Sequence, residues 1–384
     1  MTDGSAATLA DFDEPYGLLA RLRSREPVAW VGVLDGWLVT RRDLAMEVMN
    51  DAGTFTVDDA RFTTGRVVGP SMLTLDGPPH RRHRTPFAGP FRLEAVRERF
   101  SALVAEETER LIDGIGPAGR AELRRSVAGP LAAAVVMHAL GLRGTSPAVV
   151  LGWYDGIVAA VDGLTRGSPL DDRGRASFAA LRDALGPALE REAGDSLLAA
   201  VAVDAAGLER EEVISNAAVL MFGGIETTEG MIANAVAQLL AHPDALERVL
   251  ADPRLIAGAV EESLRLEPAA AVLDRYATRD VRFGGAAIRR GDLVRVSVTA
   301  ANRDPAVFTD PDRFDLDRPN AARHLAFARG PHVCIGMHLA RLEAHTAVGR
   351  LLERLPGLRA DPAHPAAPRG LVFRKPPALR VVWG

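Results

Sequence analysis

A mainly helical α+β fold is what this sequence predicts, and three observations predict it. Residues 102–265 carry apolar side chains at helical spacing over most of their length. Short strand signals are scattered before and after that stretch, and no regular alternation of strand and helix supports a doubly wound sheet. Apolar residues make up 47% of the 384, ample material for a core. No internal repeat or long low-complexity linker divides the chain, so residues 1–384 are expected to form one domain.

The elements follow in order. The opening MTDGSAATLADFDEPYG is acidic and has neither a basic n-region nor an apolar h-region, so it does not read as a signal peptide. YGLLARLRSREPVAWV ends in a strand signal, which GWLVT follows. SALVAEETERLIDGI is helical in pattern and runs into GIGPAG at residues 114–119. That hexapeptide fits the dinucleotide-binding fingerprint, which must follow a strand and open a helix. Here a helix precedes it, so Gly114 and Gly116 are read as ending that helix. VLMFGGIETTEGMIANAVAQLL is apolar nearly all round, as a helix through a core is. VRFGGAAIRRGDLVRVSV reads as a hairpin, two Pro-rich stretches (303–319 and 355–370) as irregular surface, and ALRVVW as a last strand.

Charge and cysteine usage narrow the function classes. Formal net charge is −4, and Lys375 is the single lysine among many arginines, with no basic tail of the nucleic-acid-binding kind. No apolar stretch reaches the length of a membrane span without Gly, Pro or charge interrupting it. One cysteine, Cys334, excludes an internal disulfide framework and any zinc site built from several thiolates. A cytoplasmic location is the expectation.

A lone cysteine is most often a small buried hydrophobe. The setting of Cys334, in FARGPHVCIG (327–336), argues for more. IGMHLARLEAHTAVGRLLERL follows it with Leu339, Leu342, Val348, Leu351 and Leu352 at helical spacing, so the thiol stands at a helix start. Unpaired amides and the helix dipole favour an anion there and lower a thiol's pKa. Gly330 and Pro331 force an irregular loop, and Gly336 lets something bulky approach the backbone. A thiolate so placed suits a nucleophile or a ligand to iron. His332 is too near in sequence to be the base a nucleophile needs, and His338 and His345, seven apart, read as a polar stripe rather than metal ligands.

These ten residues resemble the haem-thiolate signature of the cytochrome P-450 family, with Ala328 where the family most often has glycine. A second motif lies in the apolar helix, where Gly223, Gly224, Glu226, Thr227 and Thr228 stand together. A helix break is the ordinary explanation of such glycines, but the helical spacing continues across them. Gly223 and Thr227 are four apart and share a face, which makes a notch with an alcohol at its edge. The resemblance implies that this segment crosses the oxygen-binding face of the haem, with Thr227 and Glu226 as the catalytic pair that delivers protons. It further implies that Glu262 and Arg265 form a structural pair behind the haem, completed by Arg318. The resemblance implies, too, that His80, Arg84, Arg275 and His332 hold the haem propionates and that Cys334 ligates iron.

The resemblance therefore implies a triangular helix-rich domain with a smaller β-rich region and buried haem b (iron protoporphyrin IX). It implies a monooxygenase that inserts one atom of O2 into a hydrophobic small molecule, with electrons from a ferredoxin and its reductase. No flavin or nicotinamide fingerprint remains once GIGPAG is set aside. A monomer binding neither nucleic acid nor membrane is expected. The pocket is expected from the loop Arg61 to Met72, from Phe222 and Ile225, from Ala270 to Leu273, and from Val372 with Phe373. Peroxide-driven or oxidative-coupling chemistry is the rival enzymatic reading, and a haem sensor or carrier the rival without catalysis. The Glu226–Thr227 pair speaks against the peroxide user and the sensor or carrier, because neither needs a proton relay for dioxygen.

Overall fold

The computed structural model describes residues 4–165, 168–190, 196–204 and 207–384. At its centre the Arg210–Ala241 helix runs for 32 residues, a length of about 48 Å at 1.5 Å per residue. Glu209 and Glu212 close a capping box at its start. It is apolar nearly all round because the Gly129–Leu140, Ile256–Leu266 and Met337–Arg354 helices all pack on it. The helix continues unbroken through Gly223 and Gly224. A Cβ at Gly224 would lie 2.8 Å from a methyl of Val136, so this glycine sets how closely the Gly129–Leu140 helix can approach.

Five short strands form one sheet in the order Val28–Val31, Gly36–Val39, Leu293–Ser297, Val272–Ala277 and Phe55–Thr56. The two successive strands signalled near the start of the chain pair antiparallel, but Gly36–Val39 runs parallel to Leu293–Ser297. The expected hairpin is real over Val281–Phe283 and Ala286–Ile288, yet its continuation Leu293–Ser297 leaves for the larger sheet. Val272–Ala277 has no apolar alternation, because Asp274 and Arg275 interrupt it, and its strand character comes from pairing with residues about twenty positions on. Arg380–Val382 pairs with Arg120–Glu122 and Arg359–Ala360, so the end of the chain is stitched beside GIGPAG. The Leu93–Ile115 helix does end in that hexapeptide, at a 3-10 turn followed by Gly119 at φ 64°.

The larger apolar core lies among the helices, and a second joins the five-stranded sheet to the Arg42–Asn50 helix. One described helix, Pro147–Thr165, is long and apolar enough to cross a membrane by length and composition. It packs against the Asp172–Leu189 and Gly129–Leu140 helices, and Asp155 and Asp162 interrupt it.

Behind the core, Glu262 and Arg265 are fully buried and paired at 2.7 Å, and Arg318 reaches the same carboxylate at 2.9 Å. The two guanidinium groups also donate to backbone carbonyls of Asn302, Thr309, Asp310, Pro311 and Arg313, which pins the Pro-rich stretch to the Ile256–Leu266 helix. Spacing alone describes an exposed helix pair; burial makes it a structural knot.

Candidate active site

A cavity of about 340 Å³ opens between the central helix, the Val272–Ala277 strand, the cysteine loop and the segment around Phe373. Its walls are mostly apolar, and it is lined by Cys334 and Ile335 on one side and by Gly223, Gly224, Thr227 and Thr228 on the other. The loop that carries the thiol depends on two left-handed residues, Ala328 at φ 56° and Gly330 at φ 69°. A Cβ at Gly330 would come within 2.5 Å of the Met49 carbonyl oxygen, so a side chain there collides as well. Cys334 N–H donates to the Phe327 carbonyl at 2.8 Å, which closes the loop on itself.

The helix after the loop begins at Met337 with Gly336 as its cap. Cys334 thus stands two residues ahead of the cap, and burial pushes its thiol pKa up rather than down. The Gly336 amide and the charges of Arg84 and Arg341 act in the opposite direction but do not overcome burial. The expected lowering by position alone is therefore corrected. Thiolate character here requires a coordinated cation, which deprotonates a thiol outright.

The predicted anion-holding residues converge. Arg84, Arg275 and His332 all line the cavity. His80 is buried, its ring lies 4.4 Å from that of His332, and its Nε2 has no partner. Burial, followed by the charges of His332 and Arg84, pulls the His80 pKa to about 4. Arg84 donates to the Val333 carbonyl and Arg275 to the Asp274 carbonyl, each keeping further N–H groups for a ligand. His332 Nε2 meets Asp76 Oδ1 at 2.8 Å. Asp76 caps the Gly77–Ala88 helix and also accepts from Thr56 and the Val57 amide. Sequence reading missed this carboxylate, although a cap position before Gly-Pro-Pro marks it.

Across the cavity, Thr227 Oγ1 donates to the Gly223 carbonyl at 2.6 Å, one turn back. Glu226 is buried and points elsewhere. Its carboxylate pairs with Lys375 at 2.7 Å and accepts a hydrogen bond from the Tyr154 hydroxyl. The structure therefore brings acid and alcohol to adjacent positions without joining them directly. Tyr154 gave no signal in the sequence; Lys375 did, as the one lysine.

The expected pocket is largely present: Phe62, Thr63, Thr64, Met72, Phe222, Ala270, Val272, Leu273, Val372 and Phe373 all line it. Ile225 does not, since it is fully buried on another face of the central helix. The Pro147–Thr165 helix adds Val161, Asp162 and Thr165 to the lining, which sequence reading did not foresee. Among the described residues no group of three or more His, Cys, Asp or Glu is placed to hold a metal, and His338 and His345 do not form one.

A mostly apolar cavity lined by one thiol, two arginines and a histidine, with the unpartnered buried imidazole of His80 beside that histidine, fits an iron-centred, dianionic planar cofactor. The protein class so defined is a haem-thiolate oxygenase. Comparison agrees. Residues 250–377 match the family model described as Cytochrome P450. The chain is 36% identical to "Cytochrome P450 monooxygenase PikC" of Streptomyces venezuelae, over 96% of this chain and 89% of that protein. It is 35% identical to a "20-oxo-5-O-mycaminosyltylactone 23-monooxygenase" of Streptomyces fradiae, over 88% and 82%. Among solved structures, that of P450BioI in complex with a hexadec-9Z-enoic acid ligated acyl carrier protein superposes with a TM-score of 0.87 at 29% identity, covering 98% of this chain and 99% of that one. This chain belongs to the cytochrome P450 family. It is a monooxygenase with haem b as cofactor, and it uses O2 and a hydrophobic substrate.

Proposed function

We propose that the chain hydroxylates or epoxidises a hydrophobic natural-product intermediate, with electrons from a ferredoxin and its reductase. The carrying observation is a mostly apolar cavity faced on one side by Cys334 and on the other by Thr227. Bound haem supplies O2 activation at iron; the protein residues supply ligation, anchoring and protons. Cys334 would supply the thiolate that ligates the iron. Arg84 and Arg275 would neutralise the propionates, which an apolar pocket could not otherwise hold, and the imidazoles of His80, uncharged with its pKa near 4, and His332 would hydrogen-bond to them. Thr227 and Glu226 serve proton delivery, the hydroxyl facing the cavity and the carboxylate behind it.

Val161, Leu220, Met72 and Phe373 around the cavity select an apolar substrate surface, and Thr63, Thr64 and Thr165 offer hydroxyls to a few polar groups on it. That two relatives act in the same oxygenase class, one named for a mycaminosyl-tylactone, supports a polyketide-like scaffold as the first class to try. A monomer located in the cytoplasm is the accompanying proposal. The test is a ligand panel titrated against the ferric protein. Apolar polyketides, terpenoids and peptides should include one that shifts the Soret band and is then turned over with ferredoxin and reductase. No shift from any apolar member, with shifts from charged ones, would overturn the substrate class.

A further inference from the structure

Three N–H donors of one ammonium find three partners in the core of this protein. Lys375 Nζ lies 2.7 Å from Glu226, 2.7 Å from Glu229 and 3.2 Å from the Tyr154 hydroxyl. Glu229, fully buried, is met on its other side by Arg124 at 3.0 Å, and Arg125 stands 3.9 Å away. Arg124 donates onward to the Pro377 carbonyl, and the half-exposed Arg125 pairs with Asp155 at the surface. A chain of alternating charge therefore runs from solvent to the back of the catalytic segment.

Two glycines make room for it. A Cβ at Gly230 would press on Ala269 at 2.9 Å and lie 3.6 Å from the Lys375 stem; one at Gly129 would come within 3.1 Å of the Glu229 carboxylate. The lysine arrives on the segment that also carries Val372 and Phe373 into the cavity, and the tyrosine arrives on the Pro147–Thr165 helix, which lines the same cavity. Burying two carboxylates three residues apart is costly unless cations compensate them. Surface solubility does not explain a lysine held there.

We propose that Lys375 is a positioning residue for proton delivery: it fixes Glu226 and Glu229 in one ionic chain between the surface and the oxygen-binding face. The proposal rests on Glu226 serving proton delivery, as argued above. Because Phe373 and Lys375 are two residues apart on one segment, a substrate pressing on Phe373 bears on the hold over Glu226.

The experiment compares wild type with K375M, K375R and E226Q, all loaded with haem and normalised by their CO spectra. Product per electron pair and peroxide release are followed across neutral pH. K375M should release peroxide in place of most product, a loss of roughly ten-fold or more given what a positioned proton donor contributes, and its coupling should become pH-dependent. K375R, which keeps the charge, should recover most of it. A second readout does not depend on turnover. Infrared spectra of K375M should gain a protonated-carboxyl band, because Glu226 is then buried without its cation while Glu229 keeps Arg124; K375R should lack the band. If K375M fails to take up haem, K375M/E229Q, which keeps the chain neutral, carries the same coupling comparison. Full coupling in K375M with loss in E226Q overturns the role of Lys375 and leaves that of Glu226. Full coupling in E226Q overturns the reading of Glu226, and this proposal with it.

Discussion

Ala328 sits at φ 56°, a conformation that costs a residue with a Cβ about 1–2 kcal/mol. Ala328→Gly is therefore expected to stabilise the fold by about 0.5–1 kcal/mol after the extra freedom of the unfolded glycine is subtracted, read as a higher urea midpoint of the holoenzyme. At Cys334, replacement by Ser should abolish the strongly red-shifted Soret band of the reduced CO complex, while circular dichroism keeps the helical signal. An unaltered CO spectrum in Cys334→Ser would remove the cysteine from its role. Thr227→Ala loses the hydroxyl together with one methyl, a small change in a notch already open at Gly223, so haem and substrate affinity should hold while electrons are diverted to peroxide. Chemistry-bearing residues such as Cys334, Thr227, His80 and Arg275 were legible because each belongs to a short motif with fixed spacing. Tyr154 and Asp76 were not, since what they do is defined by partners 72 and 256 positions away.

Between elements, buried charge sets both stability and its pH dependence. Glu261 on the Ile256–Leu266 helix accepts from Arg341 on the Met337–Arg354 helix at 2.6 Å and meets His324 at 3.2 Å. Burial alone would raise its pKa, but the bonds to His324 and Arg341 outweigh burial and bring it to about 2, from an ordinary 4.5. The folded value lies below the unfolded one, so the stabilisation is complete above pH 4.5 and fades as pH falls toward 2. Its size is on the order of 3 kcal/mol. Glu261→Gln should lower the neutral-pH urea midpoint and flatten the acid limb of the stability curve. Arg318→Leu should cost about 3 kcal/mol or more, because Glu262 loses a donor, the Thr309 and Asp310 carbonyls lose theirs, and the Arg313 carbonyl keeps only Arg265. An unchanged midpoint would show that Arg265 alone carries the knot. Helices and the first strand pair were readable from local pattern. Val272–Ala277 and the parallel pairing of Leu293–Ser297 were not, because β pairing between distant segments leaves no local period to read.

Over the whole molecule the question is how electrons arrive. Along the sequence, RRHR at residues 81–84 with Arg329 and Arg341 beside the cysteine loop offers a basic patch to an acidic electron donor. The structure removes part of it: Arg82 is paired with Glu212, Arg341 with Glu261, and Arg84 faces the cavity. What stays exposed is Arg81 and Arg329, with Arg323 and the buried Arg42 adding to the field near Arg329. Reduction by a ferredoxin should slow as salt rises, and more shallowly than five arginines would give. Arg329→Glu should weaken that dependence without moving substrate affinity. Turnover with NADPH and the purified chain alone would refute the need for a partner.

The lysine enclosed beside Glu226 has a consequence for the outside of the protein as well. With Lys375 only 9% exposed, no lysine is left for the surface, and the outer cations are guanidinium groups and a few imidazoles. Guanidinium does not titrate in the range where lysine does, so the surface should keep its positive charge into strong alkali. Esters that acylate amines have no lysine on the outside to react with, and a lysine-specific protease meets its one cleavage point inside the fold, followed by Pro376. Resistance to both in the folded state, and acylation of Lys375 only after unfolding, makes that single lysine, read apart from the α-amino group, a reporter of global opening.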